Sequence, residues 1–255
     1  MYRQIYTIAS YTLLEAVRNR LIWLIAMVIV IGIGLTGFIN EIALTESRQI
    51  QAALIATLLR FAAVFFLATF VVTSMVREFN DKGLELILAL PLPRAAYLLG
   101  KLLGFALIAV CPAALFGMLI LLFAPAGQTA LWTLSLLCEL WLVAAFALLC
   151  VLTFNQTMSA LSAVMAFYLA ARSITAFQLM GHGTLSEPTL SQNVINMVLN
   201  SVSVILPRLD EFTRTEWLLY QTGSVQILFT ILLQSLIFLI LIAGVAMFDL
   251  YRKNI

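Results

Sequence analysis

The chain has 255 residues, of which 63% are apolar and only 10% are charged, with a net charge of +2. A soluble domain carries about a quarter charged residues, and the apolar residues here come in runs of about 20, the length that spans a bilayer. Composition thus excludes a soluble globular enzyme and predicts an all-α polytopic membrane protein with six transmembrane helices; a barrel would need alternating short strands, which are absent.

Taken in chain order, residues 1–20 set Ile5, Ile8, Leu13, Leu14 and Val17 among Arg3, Glu15, Arg18 and Arg20. That pattern predicts an amphipathic helix lying along the membrane surface. The spans are expected at Leu21–Ile39, Ala53–Met75, Leu102–Ala124, Ala130–Phe154, Thr157–Met180 and Val225–Phe248. The first ends in "TGFINE" without a small-residue cleavage pattern, so it reads as a span rather than a leader. Between the second and third spans lies "VREFNDKGLELILALPLPRAAYLLGKLLGF", Val76–Phe105, which concentrates three acids and four bases. On a helical wheel Glu78, Asp81, Lys82 and Glu85 form one charged stripe, while Phe79, Leu84, Leu86, Ile87, Leu88 and Leu90 cover most of the rest. Pro91 and Pro93 end such a helix, because proline lacks a donor and clashes with the preceding turn. The stripe is either a solvated face or a docking surface for a partner, and periodicity alone leaves both open.

Lys and Arg set the orientation. With a cytoplasmic N-terminus, the inside segments hold Arg3, Arg18, Arg20, Arg77, Lys82, Arg94, Lys101, Arg252 and Lys253; the outside segments hold Arg48, Arg208 and Arg214. Both termini are therefore expected in the cytoplasm. The longest outer loop, residues 181–223, contains "LPRLDEFTRTEWLLY", and its Trp217 and Tyr220 predict a segment resting in the outer interface. Arg60, Glu139 and Arg172 fall within spans, each about 12–14 Å from the outer end at 1.5 Å per residue. Intramembrane charge is costly and usually paired, so Glu139 is expected to pair with Arg60 or with Arg172. Gln234 is a further polar candidate in the sixth span, and Pro112 is expected to bend the third or free a carbonyl. Cys111, Cys138 and Cys150 lack metal or disulfide spacing. His182, the only histidine, makes a poor metal site.

The window resembles the first cytoplasmic loop of type-2 permeases of ATP-binding-cassette transporters. Those permeases show an acid, a glycine, a Leu-Glu-rich turn, Leu-Pro, a basic residue and then Gly-Lys. The matching positions are Glu78, Gly83, Leu84, Glu85, Leu86, Leu90, Pro91, Arg94, Gly100 and Lys101. Within the family, the compact form with "RNR" (residues 18–20) before the first span looks closest to permeases of cell-envelope and copper-enzyme maturation systems.

The resemblance implies a single permease domain over 1–255, with a coupling helix in the cytoplasmic loop 77–98. Glu78, Asp81, Lys82, Gly83, Glu85, Leu86, Leu90, Pro91 and Arg94 would couple it to a separate cytosolic ATPase. Arg94 and Lys101 have the plainer alternative of anchoring the inner membrane surface, favoured for Lys101. It also implies a second permease subunit, an inner-membrane location, export as the activity, and ATP and Mg held only by the ATPase. A phosphate-binding loop needs G-x-x-x-x-G-K-[ST]; Gly100–Lys101 is followed by Leu102 and has Ala95 at the first glycine position. This chain is therefore not expected to be an enzyme or to bind a cofactor, and membrane lipid, not nucleic acid, is its expected surrounding. The alternative function is force transmission to a periplasmic partner through residues 181–223 without translocation. The substrate is not legible.

Overall fold

The computed structural model describes residues 2–19, 21–42, 47–81, 93–154, 156–181 and 206–252. Among them every regular element is helical: α1 (Tyr2–Arg18), α2 (Leu21–Ile42), α3 (Ser47–Asn80), α4 (Arg94–Ile120), α5 (Ala126–Phe154), α6 (Thr157–Gly181), a 3₁₀ turn at Leu209–Glu211, α7 (Glu216–Tyr220) and α8 (Val225–Arg252). Five are long and apolar enough to cross a membrane, or six when α1 and α2 count as one bent span. Helices are the solution a bilayer imposes, since each satisfies its own backbone groups.

The bundle is built around α5, which packs against α3, α4, α6 and α8. Of its most apolar window 72% is buried, against 22% for α8. Both helices are strongly apolar, so hydropathy alone does not say which is central. On α8, Phe229, Leu233, Leu236 and Ile240 face outward, as side chains solvated by lipid can.

The helices overrun the expected spans where charge is paired. α3 has 34 residues, about 51 Å at 1.5 Å per residue, against a hydrocarbon core of about 30 Å. It continues past Met75 to Asn80, so Glu78 and Phe79 belong to its last turn and not to a separate surface helix. α4 begins at Arg94, eight residues before the expected Leu102. Pro93 stands at its N-cap with extended backbone, φ −66 and ψ 131, and its carbonyl accepts from the Ala96 amide at 2.8 Å. Pro112 sits inside α4, which runs on unbroken through it.

Helix α1 forms, but its packed face is not the large apolar one. Ala9, Thr12 and Ala16 are buried, whereas Leu13, Leu14 and Val17 are exposed. The reason is on α4. A Cβ on Gly100 would come within 2.8 Å of Ile8 Cβ, and one on Gly104 within 2.8 Å of Thr12 Cβ. Two glycines four residues apart open a groove that small residues enter, letting the backbones approach. The large apolar residues of α1 are left pointing away from the bundle. The axes of Arg3–Arg18 and Trp23–Gly34 differ by 54°.

Candidate functional site

Two polar clusters interrupt the apolar bundle, one toward each end of α3. The first surrounds Glu139 on α5, which is fully buried. Ser135 and Glu139 stand one turn apart on α5, and Tyr168 and Arg172 one turn apart on α6, so each pair shares a helix face. Glu139 Oε1 accepts from the Tyr168 hydroxyl at 2.9 Å and meets Arg172 Nη1 at 3.3 Å. The Arg172 guanidinium also donates to the Leu209 carbonyl at 2.7 Å. Arg60 on α3 does not reach Glu139; its Nη1 donates to the Thr213 carbonyl at 3.3 Å, and its guanidinium lies over the Phe61 ring, 5.0 Å from the centroid. The ion pair is thus Glu139–Arg172, and the buried cluster holds two cations and one anion.

Thr213 closes the cluster. It is fully buried and has φ 45, the left-handed region that costs a β-branched residue about 1–3 kcal/mol. All of its polar groups are engaged: the amide donates to Ser135 Oγ at 3.0 Å, the hydroxyl donates to Glu139 Oε2 at 2.7 Å, and the carbonyl accepts from Arg60. Leu209, Phe212, Trp217 and Leu218 are buried around it. Residues 206–224 therefore fold inward against α3, α5 and α6. Trp217, read above as an interface residue, is core at 2% exposure, and Tyr220 at 72% points out. Gln128 on α5 holds the far end of this segment, accepting from the Gly223 amide at 3.1 Å and donating to the Gly223 carbonyl at 3.2 Å.

The second cluster joins the other end of α3 to α4 and α1. Glu78 pairs with Lys101 and accepts from the Tyr97 hydroxyl at 3.0 Å. Ser74, one turn before Glu78, donates to Glu15 Oε1 of α1 at 2.9 Å. Lys101 is 6% exposed, so it is a buried ion-pair partner and not the surface anchor expected. The apolar run of α4 starts only after this lysine, and the lysine's burial rests on the partner that α3 supplies. Glu78 is half-buried beside Lys101 and lines the same cavity as Asp81, which sits in the exposed turn after α3.

Of the other expected residues, Arg94 donates to the carbonyls of Leu250 at 3.2 Å and Tyr251 at 3.3 Å. It ties the start of α4 to the end of α8, where helix carbonyls lack internal donors. Gln234 is half-buried, and the neighbouring Ser235 is the buried polar side chain of α8. Lys82, Gly83, Glu85, Leu86, Leu90 and Pro91 lie outside the described residues, as does His182. Among the described residues no cluster of three or more His, Cys, Asp or Glu could hold a metal.

Sequence reasoning missed Tyr168, Ser135, Tyr97, Ser74 and Thr213. The first four were within reach, because each lies four residues from an ionisable residue on its own helix. Thr213 carries no such signal. A family model described as ABC-2 family transporter protein matches residues 38–251. No curated protein matches the chain.

Proposed function

The chain belongs to the ABC-2 family of transporter proteins, and from that premise we propose that it is the permease subunit through which a separate cytosolic ATPase drives export across the inner membrane. Family membership makes it a membrane subunit of an ABC transporter, in a family that works with an ATPase subunit. In our reading both termini face the cytoplasm, ATP and Mg stay on the ATPase, and a second permease copy completes the pathway.

The observation that supports coupling is the reach of α3. This one helix carries Glu78 at one end and Arg60 toward the other, a separation of about 27 Å at 1.5 Å per residue. A displacement of the loop 82–92 acts on α3 and α4 together, because Lys101 and Tyr97 hold Glu78. α3 carries it to Arg60 and so to the Thr213 carbonyl. The Thr213 cluster then serves as the outer gate, closed while residues 206–224 are seated. Free energy enters by preferential nucleotide binding to one conformation. The same lever serves force transmission onto a periplasmic partner, with residues 206–224 as the moved part; transport measured in vesicles separates the two.

The test is co-reconstitution with the ATPase subunit. Lys101→Met and Glu78→Gln are expected to reduce stimulation of ATP hydrolysis at least about fivefold, with Lys101→Arg retaining it and the bundle still inserted. Stimulation unchanged in both variants would refute the coupling role.

A further inference from the structure

The Glu15–Ser74 and Glu78–Lys101 contacts form the floor of an open cleft where α1, α3 and α4 meet. Two neighbouring cavities occupy it, each of about 420 Å³, within the range of about 300–1,000 Å³ typical of small-molecule sites. Tyr11, Glu15 and Arg77 line both, so the two adjoin.

Charges of both signs line this space. One cavity adds Glu78 and Asp81, with Glu78 already neutralised by Lys101. The other adds Arg18. Among the described residues, none of Arg18, Arg77, Glu15 and Asp81 has an ion-pair partner. What is left open is Arg18 toward one end and Asp81 toward the other, with Arg77 and Glu15 on the stretch the two cavities share.

We propose that this cleft binds the headgroup of a zwitterionic phospholipid, with its phosphate at Arg18 and Arg77 and its ammonium at Glu15 and Asp81. Three features select this ligand. Guanidinium groups match phosphate oxygens in fork geometry, and an ammonium supplies the donors that two carboxylates lack. The headgroup of phosphatidylglycerol offers the same phosphate but a neutral glycerol in place of the ammonium, so Glu15 and Asp81 would be left without a counter-charge. The walls favour a lipid over a soluble zwitterion: Leu14, which lines the cleft, is 61% exposed and Tyr11 is 71% exposed. Val17, one turn beyond Leu14 on α1, is likewise exposed at 58%, and acyl chains can follow that face. Glu15 and Arg18 of α1 lie outside the residues matched to the family, whereas Arg77 and Asp81 lie within them.

The experiment uses the full-length chain, stripped of lipid in detergent and offered equal amounts of phosphatidylethanolamine and phosphatidylglycerol. Bound lipid is counted by native mass spectrometry. Phosphatidylethanolamine is expected to be retained about tenfold over phosphatidylglycerol, the effect of one charge-assisted contact. Arg77→Gln removes the phosphate contact and should lower that retention about tenfold. Glu15→Gln with Asp81→Asn should turn the preference toward phosphatidylglycerol. Gln at position 15 still accepts the Ser74 bond, and Arg77 and Asp81 are exposed, so an unchanged thermal midpoint shows that the fold is intact. Equal retention of the two lipids by the unaltered protein overturns the assignment, as does unchanged selectivity in the acid variant. Displacement of bound lipid by equimolar glycerophosphoethanolamine assigns the cleft to a soluble zwitterion instead. Loss of bound lipid on adding the ATPase subunit assigns it to that protein.

Discussion

If residues 206–224 form a gate, Thr213 is where it can be weakened without touching a charge. Thr213→Ala deletes the hydroxyl that donates to Glu139 Oε2 at 2.7 Å. A hydrogen bond to a charged group contributes about 1.5–3 kcal/mol. The alanine keeps the amide bond to Ser135 and the carbonyl bond to Arg60, and it still occupies φ 45. The seated state should therefore lose about 2 kcal/mol, which multiplies the open population about 30-fold. Hydrogen exchange of the 206–224 amides reads this directly, because local opening sets their protection. Thr213→Ser retains the donor and should exchange within about threefold of the unaltered protein. Thr213→Gly should fall between serine and alanine, since glycine relieves about 1 kcal/mol of left-handed strain while losing the same hydroxyl. If alanine exchanges no faster than the parent, or serine as fast as alanine, the hydroxyl–carboxylate contact is not what seats the segment.

Two further outcomes follow from the same geometry. Glu139→Gln leaves the Arg60 and Arg172 guanidiniums without a counter-charge among the described residues, and should cost about 3–5 kcal/mol in thermal or denaturant unfolding in detergent. Glu139→Leu combined with Arg172→Met should cost less than Glu139→Gln alone, since it removes both members of the pair. Gly104→Ala puts a Cβ within 2.8 Å of Thr12 Cβ and should displace α1, at about 1–3 kcal/mol. Limited proteolysis after Arg18 reports that displacement, and Thr12→Gly should restore protection in the Gly104→Ala background.

Much of the candidate site was legible as residues but not as contacts. The depth argument picked out Arg60, Glu139 and Arg172, because an ionisable group in an apolar run is conspicuous at any resolution of reasoning. It left the choice of partner open, since helix order in sequence does not give the rotation of one helix against another. That rotation turns Arg172 toward Glu139 and sends Arg60 to a backbone carbonyl. The reading of Lys101 as a surface anchor erred for the same reason. It looked surface-facing on its own, and its juxtaposition with Glu78 across α3 and α4 offsets the cost of its burial.

The sequence by itself determined that this chain lives in a bilayer as helices, because scarcity of charge and run length are properties that lipid reads residue by residue. It also carried the loop pattern of a transporter permease. The tertiary structure alone decided which helix is central, which face of α1 packs, and that residues 206–224 turn inward around a threonine. Those choices depend on steric fit between distant stretches, such as the Gly100–Gly104 groove and the left-handed turn at Thr213. Hydropathy cannot encode them, since lipid and protein interior are nearly equally apolar and only shape and hydrogen bonding distinguish the two.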